Sequence, residues 1–482
     1  MIKVLIAQSL LCMFSLVAFS QSKFSDETKK YIAYSDSLIV LKNALLIDGN
    51  GNQPKSGQTI VIRKGKISWV GDDNNAVIPS TATIINLNGK AVLPGFNMLH
   101  EHMFTSAFSF DPMHFLLKQL PISFPRLYLA AGVTSIRTCG SIEPYSDLRI
   151  KKDIDAGTYP GPYIDLTAPY AEQKEPGMDF PQMKEIKTPA EAVRFVNFWA
   201  DEGFTSFKIY SGADKSICKA VIETAHKRHL KVTGHLCQTT YADAAELEID
   251  NLEHGFYAGS DFVGTNTNYG PCPVNVLYSL LNLNINSDIV NRTIRQLINK
   301  KTGITSTLAV FEGLNNIQLP PSNELLDMFS PDSKNYYLEQ LKDIKPEQGP
   351  SGMDSVFNTN AKLEKKFYDM GGLLTVGTDP TGNGGTIAGI GSWRAIELLV
   401  LADGFTPLQA IKIATLNGAI ALGRAKTTGS IEAGKSADIL IIDGDPSKNI
   451  SDIRKVQFVF RNGIGYDSKK IFDSMKGKVG FY

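Results

Sequence analysis

The chain has 482 residues, 43% hydrophobic and 20% charged, with 49 basic side chains against 49 acidic ones. That suits a globular protein with a large core, built as one big domain or two. The even charge argues against a chain devoted to nucleic acid or an anionic membrane surface, because such partners are met by a basic excess.

Residues 1–20, MIKVLIAQSLLCMFSLVAFS, join Lys3 to an apolar run that ends in Ala18-Phe19-Ser20. This is the pattern of a secretory signal peptide cut before Gln21, and it predicts a secreted or periplasmic protein. The run is shorter than the ~20 residues a membrane span needs, and no later segment is apolar enough to cross. Cys139, Cys218, Cys237 and Cys272 follow without a C-x-x-C pair. A domain of this size does not depend on disulfides, and the pairing stays open.

Next come β-type runs bounded by Gly, Asn and Asp: SLIVLKNALLIDG, TIVIRKGKISWVG and ATIINLNGKAVLPG. A similar block returns near the far end, with GSIEAGKSADILIIDGD and KVQFVFRNGIGYD. The two blocks predict a composite β-sandwich domain over 37–92 and 422–470, with 93–421 inserted into it.

The insert alternates strand-like and helix-like segments. After AVLPGFNMLHEHMF (91–104), the strand candidates are GVTSIRT (132–138), PYIDLTAP (162–169), FTSFKIY (204–210), KVTGHL (231–236), NLEHG (251–255), GITSTLAVFEG (303–313) and LLTVGTDP (373–380). Helical stretches such as TPAEAVRFVNFWADEG, with a Thr cap, lie between them. Eight such units predict an α/β fold, a (β/α)8 TIM-type barrel whose chemistry sits at the C-terminal ends of the strands. Two long connections, 256–287 and 313–352, fall on that side and read as lids or substrate walls.

Polar residues punctuate the strand ends. His100 and His102 are two apart, so on a strand they share a face. Lys208 ends the fourth strand, His235 the fifth, His254 the sixth and Asp379 the eighth. A barrel aims all six at one point, where they can grip metal ions.

On the motifs HEH, FKIYSG, GHL, LEHG and GTDP, the chain resembles the amidohydrolase superfamily, the urease-like metal-dependent hydrolases. Within it, the chain is similar to the prolidase-like and imidazolonepropionase-like relatives. The resemblance implies two divalent ions, commonly zinc. His100, His102 and Asp379 would bind one, and His235 and His254 the other. Lys208 would be carboxylated by carbon dioxide, its carbamate bridging both ions. An ammonium among imidazoles and dications is repelled, whereas a carbamate brings negative charge to them. The resemblance further implies a metal-bridged hydroxide as nucleophile and Asp379 as proton shuttle, so Asp379 and Lys208 are the catalytic candidates. A deaminase of the superfamily would carry His-x-x-Glu after the fifth strand, but here Gln238 stands in place of the acid. Imidazolonepropionase itself lacks the bridging lysine. One departure is Met98, where relatives commonly have an Asp that supports a ligand.

Tyr210, two residues past Lys208, is a candidate for contact with substrate, as are Tyr170, Tyr257 and His114. Arg137, at the end of the second strand, is a candidate partner for a substrate carboxylate. The expected activity is hydrolysis of an amide (C–N) bond in a small molecule such as a dipeptide or N-acyl amino acid. The alternatives are a cyclic amide, lactone or ester cleaved at the same centre, or a non-catalytic metal- or ligand-binding scaffold. Outer helices such as WRAIELLVLADGF leave room for a homo-oligomer.

Overall fold

A computed structural model describes residues 24–108, 115–173, 184–263, 276, 279–312, 321–343, 352–381 and 385–480. The predicted signal peptide at 1–20 and His114 lie outside the described residues, as does much of both long connections.

Eight parallel strands follow one another in chain order: β1 (Phe96–Glu101), β2 (Val133–Thr138), β3 (Tyr163–Asp165), β4 (Ser206–Ile209), β5 (Lys231–Gly234), β6 (Asn251–Glu253), β7 (Gly303–Ser306) and β8 (Leu374–Val376). They form ladders β1-β2-β3 and β4 to β8. Backbone hydrogen bonds cross both remaining seams. Ala168 N–H donates to Ser206 O at 3.0 Å and Ala171 N–H to Lys208 O at 2.8 Å, while Asp379 N–H reaches His100 O at 2.8 Å. The ring is the predicted barrel.

The strands are buried on both faces, as parallel strands clad in helices must be. On β4, Phe207 points outward to Phe195 of helix Pro189–Asp201, with ring centroids 6.3 Å apart, while Lys208 points in. Two of the covering helices start at side-chain caps: Thr188 accepts from Glu191 N–H, and Asp214 from the N–H groups of Ser216 and Ile217. Beneath the mouth the interior is polar. Thr167 and Ser206 hydroxyls meet at 2.7 Å, those of Thr305 and Thr375 at 2.9 Å, and Asn251 Nδ2 donates to Thr305 Oγ1 at 2.8 Å. Barrels usually fill this layer with branched apolar residues. Here small polar ones knit neighbouring strands by hydrogen bonds.

A nine-stranded sheet takes strands from both ends of the chain. Its central strand Ile439–Ile442 lies between Ala91–Pro94 and Val456–Arg461, antiparallel to each. Ile39, Leu41, Ile60, Ile62, Ile439 and Ile441 point to one face and form that domain's own core. Leu93, Leu440 and Ile442 point to the other and join the core of the barrel. Ile32–Tyr34, in the polar stretch ahead of residue 37, adds an edge strand to Ile464–Asp467.

Helix Met353–Asp369 braces the turn after β6. Asn360 Oδ1 accepts from Phe256 N–H at 2.7 Å and its Nδ2 donates to Glu364 Oε1 at 2.7 Å. Burial pushes the Glu364 carboxyl up to about 7, and burial beside Glu364 holds Asp403 well above the usual carboxylate range. The folded chain therefore keeps protons that the unfolded chain releases near pH 4.5, and stability falls as pH rises through the interval between the two values. Urea midpoints at pH 5 and pH 8 should show that fall, and Glu364→Gln should reduce it. An equal fall in both proteins would contradict the assignment.

Candidate metal centre

His100, His102, Tyr170, Lys208, Tyr210, His235, His254 and Asp379 line one cavity of about 210 Å³ at the C-terminal mouth of the barrel. Six different strand ends deliver them. Asp379 Oδ2 lies 3.7 Å from His100 Nε2, and Oδ1 lies 3.4 Å from His102 Nε2. Lys208 Nζ is 3.4 Å from His100 Nε2, and the His235 and His254 rings lie 4.5 Å apart. His100, His254 and Asp379 place ligand atoms within 4.8 Å of one another.

These separations can be compared with what a cation requires. Zinc–nitrogen bonds of about 2.0–2.1 Å in a tetrahedron set donors roughly 3.3 Å apart. The observed gaps are close to that spacing. Protonation also favours binding. Burial, reinforced by the Lys208 charge, pushes His100 down to about 4 and His235 down to about 3; burial lowers His102 and His254 too. Neutral imidazole is the ligating form. Burial opposes charge on Asp379, but His100, His102 and His254 outweigh it and hold the group a carboxylate. The donor set therefore fits divalent cations.

Two of the six have left-handed backbone, His254 at φ 66° and Asp379 at φ 47°. Such conformations cost about 1–3 kcal/mol each and persist where the surrounding fold imposes them. Asp379 is fixed by its N–H bond to β1 and by the Thr381 hydroxyl, which donates to Oδ1 at 2.8 Å.

The ligands have polar partners behind them. His102 Nδ1–H donates to Gly140 O at 3.3 Å, and His254 Nδ1 meets Thr307 Oγ1 at 2.8 Å. His100 Nδ1 sits 2.7 Å from Glu253 Oε2. Met98 is packed in the apolar core. The acid supporting His100 thus comes from β6.

Arg137 does not reach the cavity. Its NH2 group donates to Glu253 Oε1 at 2.8 Å and its Nε to Leu99 O at 3.2 Å, so the side chain is consumed inside the barrel and is not offered to a substrate. Tyr257 is also displaced from the cavity wall. Its ring stacks on Phe311 at 3.8 Å, because the left-handed turn at His254 and Gly255 redirects the chain. Cys139 lies near His100 and Glu253, but burial raises its thiol and Arg137 already neutralises Glu253, so this trio does not suit a separate cation site.

The rest of the wall was not singled out from the sequence: Phe104, Leu117, Ile142, Val310, Phe311 and Thr381. Phe104 carried a readable signal, since it continues the alternation of His100 and His102 and its ring lies 4.5 Å from that of His102.

Comparison with known proteins agrees with this geometry. The model of the amidohydrolase family matches residues 335–465. An imidazolonepropionase of Syntrophobacter fumaroxidans is 39% identical over 80 residues, 17% of this chain and 18% of that protein. The match thus spans under a fifth of the curated relative's length. A Xaa-Pro dipeptidase solved with bound methionine in its active site superposes with a TM-score of 0.66 at 20% identity, over 89% of this chain and 100% of that one. Ochratoxinase from A. niger does so at 0.64 and 17% identity, over 89% and 95%. At such identities the superpositions speak for the fold, and the family match adds the lineage. The match to the amidohydrolase family thus holds for residues 335–465, and the superpositions extend the same fold over 89% of the chain.

Proposed function

We propose that the protein hydrolyses an amide (C–N) bond in a small molecule, a dipeptide or N-acyl amino acid, at a centre of two divalent ions, zinc in the first instance. The observation that carries this reading is the convergence of six donors from five strand ends on one cavity. His100, His102, His235, His254, Asp379 and the carbamate of Lys208 would hold the ions. When bound, such ions supply a water acidified toward neutrality and a polarised carbonyl.

The chain's own residues do the rest. Asp379, ionised and oriented by Thr381, accepts a proton from the nucleophilic water and passes it to the departing amine. Tyr170 and Tyr210 flank Lys208 Nζ, at 5.3 and 5.7 Å from their ring centres, and present hydroxyl-bearing rings to the substrate. Phe104, Leu117, Ile142, Val310 and Phe311 enclose the substrate's apolar part and exclude water, each buried Å² contributing ~25 cal/mol. A substrate with an apolar side chain next to the scissile bond is therefore favoured.

The reading includes export. The signal at residues 1–20 supports it, and so does a disulfide at Cys237 whose partner lies outside the described residues. Among the described residues no helix is long and apolar enough to cross a membrane.

The test is turnover of a dipeptide and N-acyl amino acid library by zinc-loaded protein, with Lys208→Ala as control. Apolar substrates should be cleaved, chelation should abolish cleavage, and the variant should lose it. Turnover confined to lactones or esters would replace the amide by the alternative substrate class. Full activity in Lys208→Ala would overturn the bridged two-ion centre, and a metal-free protein inert toward the whole library would favour the scaffold.

A further inference from the structure

Glu253 is fully buried, one residue before a candidate ligand, and its carboxylate is saturated with donors. Oε2 takes the His100 Nδ1–H at 2.7 Å. Oε1 takes Arg137 NH2 at 2.8 Å and Asn251 Nδ2 at 2.9 Å, and the Thr233 hydroxyl also donates to it. Four elements thus meet on one side chain: β1, β2, β5 and β6.

A carboxylate can only accept, so the proton on His100 must sit on Nδ1. The Nε2 lone pair is then left facing Asp379 and Lys208. Arg137 prevents the carboxylate from swinging into the cavity, because it is tied at the same time to Leu99 O on β1.

We propose that Glu253, locked by Arg137, is the positioning residue that presets His100 as a metal ligand and sets the affinity of the centre. It touches neither substrate nor ion and acts wholly through His100. Partners of this kind are worth about 10–100-fold in metal affinity. The proposal rests on the metal-centre reading above. Failure of wild-type protein to bind zinc would sink that reading, whereas a variant that binds as tightly as wild type sinks this one alone.

Zinc affinity is measured by competition with a chromophoric chelator, without substrate. Glu253→Gln should bind zinc about 10–100-fold more weakly. A merely structural Glu253 would lower the unfolding midpoint of the metal-free protein and leave the affinity of the folded fraction unchanged. Glu253→Gln alone strands the Arg137 charge, so the neutral pair Arg137→Gln with Glu253→Gln is made beside it, and it should also bind weakly. Unchanged affinity in either folded variant overturns the proposal. The wild-type protein offers a check independent of mutation. Nitrogen NMR of the metal-free chain at neutral pH should show His100 as the Nδ1–H tautomer, and an Nε2–H signal would overturn the proposal.

Discussion

Asp379→Asn should lower the turnover number of the zinc-loaded protein by about 10²–10⁴-fold, the range for loss of a positioned proton-transfer group. The substitution keeps shape and alters chemistry. Asn tolerates the left-handed backbone at φ 47° better than most residues. The backbone N–H bond from this position to His100 O survives, as does an oxygen for Thr381 to donate to. What disappears is the carboxylate's ability to take up a proton. The measurement is the turnover number at saturating substrate, with metal content determined on the same sample. Turnover within a few-fold of wild type, at equal metal content, would remove Asp379 from proton transfer.

The second large effect is structural and lies two residues upstream. Gly377→Ala should unfold the mouth of the barrel, lowering the melting temperature and weakening zinc binding together. A Cβ at Gly377 would overlap the Cβ and backbone nitrogen of His100, so no side-chain rotation can make room. Relief requires β8 and β1 to part, and the Asp379–His100 bond closes the barrel at that seam. Overpacking typically costs about 1–3 kcal/mol, with backbone collisions at the upper end or beyond. Gly371→Ala is the control. Its φ of +98° makes alanine strained, yet nothing lies within 4 Å of the added carbon, so a loss of roughly 1 kcal/mol with unchanged zinc affinity is expected there. Equal melting temperatures and zinc affinities for the two variants would show that the close contact is unimportant.

The strand ends were legible because each joins a buried apolar run to a polar residue at the point where the run stops, and parallel barrel strands follow that rule. The errors have equally local causes. Alternation places Arg137 inside the barrel, which is correct, but it says nothing of depth, and Arg137 lies below the mouth at the level of Leu99 O and Glu253. Alternation also puts Glu253 and His254 on opposite faces. The left-handed backbone at His254 breaks the pattern and lets both reach the interior, so alternation alone hides the acid beside a ligand and sets Tyr257 too near the cavity. Glu101 obeys the rule: it turns away from His100 and His102 and accepts from Thr378 N–H at 2.8 Å, tying β1 to the residue before Asp379. The strand Ile32–Tyr34 was invisible because its partner, Ile464–Asp467, lies at the other end of the chain.

The interleaved terminal sheet has a consequence for synthesis. Ala91–Pro94 emerges early from the ribosome, yet its antiparallel neighbour Ile439–Ile442 is translated hundreds of residues later. Until then the early strand offers an apolar, hydrogen-bonding rim with no native neighbour on that side, the kind of rim that invites aggregation. Long-range pairing of this sort also slows folding. Late completion makes holding chaperones the natural escort for the nascent chain.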